Sequence, residues 1–179
     1  MIVRQAAIAI ENAKIYRQLN YLTVTDPLTN MYNFRYFVQK LDYEIERLKR
    51  YAGSLCLLIV DIDNFKFYND EFGHLEGDHL LREIGEVFHK NLRKIDVACR
   101  YAGDEFVVIL PETKVPEAKI VAQKIKDTFQ NLKLKKQVTL SIGGAQYYKE
   151  MDRNDLVRKA DAALYQAKRK GKNEVCIYE

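Results

Sequence analysis

The chain has 179 residues, 47% of them hydrophobic and 30% charged, with a net charge of +4. This composition describes an ordinary soluble globular protein, long enough for one well-cored domain plus an extra element. The positive excess is small and dispersed, which leaves no footprint for a nucleic-acid polymer but suits a site for anionic phosphates. Cys56, Cys99 and Cys176 are odd in number and lie in apolar runs. They read as reduced core thiols rather than a disulfide framework or a zinc site.

The chain opens on an apolar run at 2–10 that Arg4 and Gln5 interrupt and Glu11-Asn12 closes. It is too short to span a bilayer and lacks a secretion cleavage pattern, so a cytoplasmic protein with no membrane contact in this segment is expected. Ile8, Asn12, Ile15, Leu19 and Leu22 alternate four- and three-residue steps, the seam of a coiled coil along a helix at 2–22. A single asparagine on such a seam, here Asn12, can fix the register of two paired helices. Pairing with a second copy is the expected use of this stripe; the alternative is a helix folded back on its own domain. Pro27, within Asp26-Pro27-Leu28-Thr29-Asn30, opposes further helix. The chain therefore divides into a signalling helix at 1–24, a helical stalk, and one domain at 25–179.

Within that domain, the pattern predicts a helix at 33–51, a strand at 55–62, a short helix at 65–72 and a longer one at 77–92. A hairpin centred on Gly103 follows, then a helix at 116–132, a strand at 137–146, a helix at 154–170 and a last strand at 174–178. The run Cys56-Leu57-Leu58-Ile59-Val60 is apolar on both faces, as a central strand requires. Helices alternating with an antiparallel hairpin give an α+β sandwich.

Two groups of acids stand out. Asp61 and Asp63 close the central strand, where residues two apart share a face. Asp104 and Glu105 sit on the hairpin turn of Arg100-Tyr101-Ala102-Gly103-Asp104-Glu105-Phe106, held by the strands on either side. Gly103 suits a turn with positive φ, and Ala102 is expected to be strained if the turn makes the same demand of it. A hard cation such as Mg²⁺ takes carboxylate and carbonyl oxygens and leaves room for phosphates. Asp63 reads as a cap for the helix beginning near Phe65. Lys66, Lys168 and Lys172 are candidates for neutralising phosphate, and the last two share a helix face if the helix extends that far. His74, beside a glycine and without an evident partner, reads as structural.

The seven residues from Arg100 to Phe106 resemble the signature of the GGDEF family, the diguanylate cyclases, with Ala102 in place of the first glycine. Further motifs follow the family order. These are Asp26-Pro27-Leu28-Thr29 with Asn33 and Arg35, then Phe65-Lys66 through Asn69-Asp70 to Phe72-Gly73-His74 and Gly77-Asp78, and finally Ala160-Asp161 through Lys168 to Lys172-Asn173. The resemblance thus covers residues 26–179. The run from Gln5 to Tyr16 is similar to the exit helix of a GAF sensor domain.

The resemblance implies a palm-like, antiparallel-containing central sheet flanked by helices, as in class III nucleotidyl cyclases. It implies condensation of two GTP molecules into cyclic di-GMP with release of two pyrophosphates, by a homodimer using Mg²⁺ or, alternatively, Mn²⁺. The matching positions imply metal binding by Asp61, the Ile62 carbonyl and Asp104. They imply substrate binding by Phe65, Asn69, Asp78, Lys168 and Lys172, with Asn69 and Asp78 on the guanine. Asp104, Glu105 and Lys66 are the implied catalytic groups, and the acceptor of the 3′-proton is open among these and water. Arg93-Lys94-Ile95-Asp96 resembles the family's inhibitory site for cyclic di-GMP, with Lys124 as its further basic residue. The competing reading, for which Ala102 speaks, is an inactive module that binds GTP or cyclic di-GMP as a receptor.

Overall fold

β1 (Leu55–Ile62) is buried along its whole length, because it lies between β3 (Glu105–Pro111) and β4 (Leu140–Gln146) with helices over both faces. The computed structural model describes residues 24–178. The predicted coiled-coil helix, its Asn12 register and the likeness to a GAF exit helix lie outside the described residues. The remaining elements are α1 (Phe34–Arg50), α2 (Phe65–Phe72), α3 (His74–Asn91), β2 (Val97–Ala102), α4 (Val115–Gln130), α5 (Arg153–Arg169) and β5 (Val175–Ile177).

The sheet order is β2-β3-β1-β4-β5, antiparallel throughout except for the β4–β5 pair. Period-two alternation divides β1 between two cores. Leu55, Leu57 and Ile59 pack with Phe37, Leu41 and Ile45 of α1 and with Leu156, Ala160 and Leu164 of α5. Leu58, Val60 and Ile62 pack with Leu80, Ile84 and Phe88 of α3 and with Ala122, Ile125 and Phe129 of α4. The result is the expected α+β sandwich, a palm-like sheet with helices on both sides.

Local chemistry sets the helix limits. Asn33 caps α1 by accepting from the Tyr36 amide at 3.2 Å. Asp152 and Asp155 form a reciprocal capping box at the start of α5. Gly73, at φ 86°, both ends α2 and starts α3, so α3 begins at His74 rather than at 77. Cys56, Cys99 and Cys176 are buried and unpaired, and burial pushes the Cys56 and Cys99 thiols up to about 12. Among the described residues no helix is long and apolar enough to cross a membrane.

Candidate active site

The end of β1, the β2–β3 turn and the end of α5 converge on a cleft of about 290 Å³. Asp61 and Glu105 are register partners across β1 and β3, and the Ile62 amide donates to the Asp104 carbonyl at 3.4 Å. The sheet itself therefore brings together the two groups of acids, which are distant in sequence. From α5, Lys168 extends its Nζ to 2.7 Å from the Asp61 carboxylate. Lys66, in the first turn of α2, lines the same cleft, as does Phe65.

Burial pushes the Asp61 carboxyl above its ordinary value; Lys168 opposes this, and the charges of Asp104 and Asp63 add to it. Glu105 is raised in the same way, by burial first and then by Asp61, with Asp104 and Asp161 contributing. A group of carboxylates that resist ionising together is a place where a cation is stabilising. Among the described residues no three His, Cys, Asp or Glu side chains are grouped to hold a metal. Asp61, the Ile62 carbonyl and Asp104 are hard oxygen donors at the cleft, a set that suits a divalent cation such as Mg²⁺, which keeps several positions for water and phosphate.

Ala102 is not strained. It is the last residue of β2, exposed and paired with Glu105, and only Gly103 in this turn has positive φ, at 48°. Asp63 does not cap α2: Asn64 occupies the cap position, without a capping bond. Asp63 is instead 2% exposed and accepts from Thr139 Oγ1 at 2.6 Å, Ser141 Oγ at 2.7 Å and the Asn173 amide at 3.0 Å. It clasps β1, the segment carrying Thr139 and Ser141, and the loop after α5 at the wall of the cleft. That loop runs through Gly171, Lys172 and Asn173, all with positive φ. Lys172 thus lies beyond the helix and does not share a helical face with Lys168. It still reaches the cleft, where its Nζ donates to Asn64 Oδ1 at 2.6 Å.

Gly77 lets Asn69 and Phe65 of α2 pack closely against α3, since a Cβ there would collide with Asn69 Oδ1 and meet Phe65 at 3.2 Å. Asn69 Oδ1 is buried with no hydrogen-bond partner, an orphaned acceptor that points to a donor from outside the chain. Asp78 follows Gly77 in the first turns of α3, half-buried, and is not the N-cap of that helix. His74 is exposed at its start.

The structure pairs Arg93 with Asp96 through two guanidinium bonds of 3.1 and 2.9 Å, and Arg93 also donates to Thr113 Oγ1 at 2.7 Å. Both line a cavity of about 460 Å³, on the opposite side of β2 from the α1–α5 core, with His89 and Lys94. Lys124 is exposed on α4, and among the described residues it makes no ion pair or side-chain hydrogen bond.

The family model described as diguanylate cyclase, GGDEF domain, matches residues 23–174. The chain belongs to the GGDEF family. This GGDEF domain is 40% identical over 162 residues to the response regulator PleD of Caulobacter vibrioides, covering 86% of the chain and 36% of PleD. It is 37% identical over 160 residues to the diguanylate cyclase DosC of Escherichia coli, covering 86% of the chain and 35% of DosC. The chain thus spans about a third of the length of these curated relatives. Among solved structures, it resembles the coiled coil and GGDEF domain of DgcB from Caulobacter crescentus in complex with c-di-GMP. There the TM-score is 0.87 at 29% identity, covering 97% of this chain and 98% of that one. The diguanylate cyclase SiaD of Pseudomonas aeruginosa, in complex with its activator SiaC, gives a TM-score of 0.85 at 32% identity, covering 98% of this chain and 71% of SiaD.

Proposed function

We propose that this GGDEF domain is a cytoplasmic diguanylate cyclase, which condenses two GTP molecules into cyclic di-GMP and releases two pyrophosphates. The observation that carries this reading is the cleft in which Asp61 and Asp104 face Lys66, Lys168 and Lys172. Such a mixture suits a triphosphate with its cation and suits neither alone.

In this reading the chain's residues divide the work of holding one GTP. Asn69 and Asp78, beside Phe65, take the guanine edge: a carboxylate accepts from N1–H and N2–H₂ together, and adenine offers no donor at N1. Lys66, Lys168 and Lys172 hold the phosphates as mobile point charges. Asp61, the Ile62 carbonyl and Asp104 would hold Mg²⁺ or Mn²⁺, which supplies neutralisation of charge developing on the phosphates. The 3′-oxygen of one GTP forms a bond to the α-phosphorus of the other. The bond from that phosphorus to the bridging oxygen breaks, and pyrophosphate leaves with the electron pair. The proton of the 3′-hydroxyl passes to Asp104, Glu105, Lys66 or water. Because each subunit holds one GTP, two copies must meet, and a paired N-terminal helix would raise their effective concentration. Arg93, Asp96 and Lys124 form a product-binding inhibitory site on the far side of the domain from the cleft.

The competing reading is an inactive module that binds GTP or cyclic di-GMP as a receptor; the departure of Ala102 from the signature glycine speaks for it, and the intact Asp61, Asp104, Glu105, Asn69, Asp78 and Lys168 speak for the cyclase. Incubation with GTP and Mg²⁺, followed by nucleotide chromatography at several protein concentrations, tests the proposal. Cyclic di-GMP, formed at a rate per subunit that rises with concentration, is expected. GTP bound and recovered unchanged would overturn it.

A further inference from the structure

α5 gives way to β5 through three successive residues with positive φ: Gly171 at 119°, Lys172 at 65° and Asn173 at 54°. Stopping the helix accounts for the first of them. The Gly171 amide donates to the Lys168 carbonyl at 3.4 Å and the Lys172 amide to the Ala167 carbonyl at 3.3 Å, a Schellman ending with glycine at its usual place. That ending asks for no further left-handed residue. Lys172 and Asn173 continue the conformation regardless, although L-residues rarely adopt it in succession. A strained turn of this kind persists where its surroundings over-determine it.

Asn173 is where the surroundings take hold. Its amide donates to Asp63 Oδ2 at 3.0 Å, just beyond the end of β1. Its carbonyl accepts from Lys126 Nζ at 2.8 Å, and its Oδ1 accepts from Gln130 Nε2 at 2.7 Å. Lys126 and Gln130 are four residues apart and so share a face of α4. Neither lines the phosphate cleft.

The residue before Asn173 does line it. Lys172 Nζ donates to Asn64 Oδ1 at 2.6 Å, at the mouth of the cleft. A carboxamide is a neutral acceptor, so it orients the ammonium without cancelling its charge. Lys168 differs, because the Asp61 carboxylate already faces it at 2.7 Å. Among the described residues Lys172 has no ion pair, and its full charge is directed at the cleft.

We propose that Asn173 is a positioning residue of the phosphate cleft. Gripped by Asp63 on one side and by Lys126 and Gln130 of α4 on the other, it fixes the left-handed turn that delivers the Lys172 ammonium to the phosphates of a nucleotide. The inference rests on the cyclase reading above, in which Lys172 holds phosphate, and adds the residues outside the cleft that set its place.

Binding to the full chain separates this role from a merely structural one. Calorimetry in the presence of Mg²⁺ compares 3′-deoxy-GTP, which lacks the attacking hydroxyl and cannot be condensed, with guanosine, which lacks phosphate. Lys172→Ala should weaken 3′-deoxy-GTP by about tenfold, the loss of one hydrogen bond to a charged group. Asn173→Ala removes the Gln130 bond and disfavours the positive φ, and should weaken it by about threefold or more. Gln130→Ala, at a helix position where alanine is well tolerated, should act in the same direction. Guanosine affinity should stay at the parent value in all three. Added to Lys172→Ala, the Asn173→Ala change should cost nothing further, because the group it positions is gone.

Parent-like 3′-deoxy-GTP affinity in both Asn173→Ala and Gln130→Ala would overturn the inference and leave the cyclase reading standing. An equal loss for guanosine, or a full additional loss on top of Lys172→Ala, would overturn it in the same way. Unchanged affinity in Lys172→Ala itself would remove Lys172 from the phosphates, and with it the part of the reading on which the inference rests.

Discussion

Arg100 ties the signature turn to Asp26. Its Nε and Nη2 donate to the Gly103 carbonyl at 3.0 and 2.8 Å, and its Nη1 donates to the Asp26 carboxylate at 3.2 Å. Asp26 in turn accepts from the Thr29 amide and hydroxyl at 2.9 and 2.8 Å. The guanidinium thus joins the Asp26 turn to the turn that carries Asp104 and Glu105, beside the backbone bond from the Arg100 amide to the Tyr32 carbonyl at 2.7 Å.

Burial pushes the Asp26 carboxyl up, but the Thr29 hydroxyl and amide and the Arg100 guanidinium outweigh it, so Asp26 titrates below its ordinary value of 3.8. An acid whose folded value is depressed contributes stability above its unfolded value and loses it as pH falls through the folded one. Asp26→Asn should therefore lower the melting temperature at neutral pH. The gap to the parent should close as pH is lowered below about 3.8. Melting curves across that range check the sign, and a gap that widens on acidification would refute it.

Gly143 marks the closest approach of α5 to the sheet. A Cβ there would lie 2.1 Å from the Leu164 amide nitrogen and 2.4 Å from the Ala160 carbonyl oxygen, both backbone atoms that cannot turn aside. Gly143→Ala should displace α5, destabilise the domain by about 2–5 kcal/mol and move Lys168 away from Asp61. Denaturant midpoints measure the first effect.

Base choice should depend on Asp78. Asp78→Ser removes the acceptor that matches guanine's two donors, so preference for GTP over ATP should fall by about tenfold or more. Competition between the two nucleotides gives the ratio directly. A parent-like ratio would exclude Asp78 as the specificity residue.

Much of the fold can be read from sequence because its signals are local. The eight-residue strand β1 and the helix from Phe65 to Phe72 have the predicted limits. β4 begins at Leu140 rather than 137, because the Thr139 hydroxyl turns to Asp63 and residues 137–139 form the approach to that clasp. The role of Asp63 could not be read locally: its hydroxyl partners are 76 and 78 residues away. Thr139-x-Ser141, two hydroxyls on one strand face opposite the acids of β1, was the available signal. Lys172 reaches the cleft through a left-handed turn, which a helical spacing argument cannot represent.

Product control should reside in Arg93. The Asp96 side chain is 1% exposed beneath it, so Arg93→Ala leaves a buried carboxylate short of its partner and also costs stability. Progress curves with cyclic di-GMP added at the start, run well below both melting points, should show inhibition in the parent and little in the variant. Equal inhibition of both would place the inhibitory site elsewhere.

In the proposed function, Asp61 and Asp104, brought together by β1 and the turn, hold a cation and a GTP for condensation. The most direct measurement compares the parent with Asp104→Ala for cyclic di-GMP formed from GTP and Mg²⁺, with circular dichroism recorded on both. The half-exposed turn position of Asp104 predicts an unchanged fold, and loss of a metal ligand predicts no detectable product. A well-folded Asp104→Ala protein that makes cyclic di-GMP at the parent rate would contradict the account.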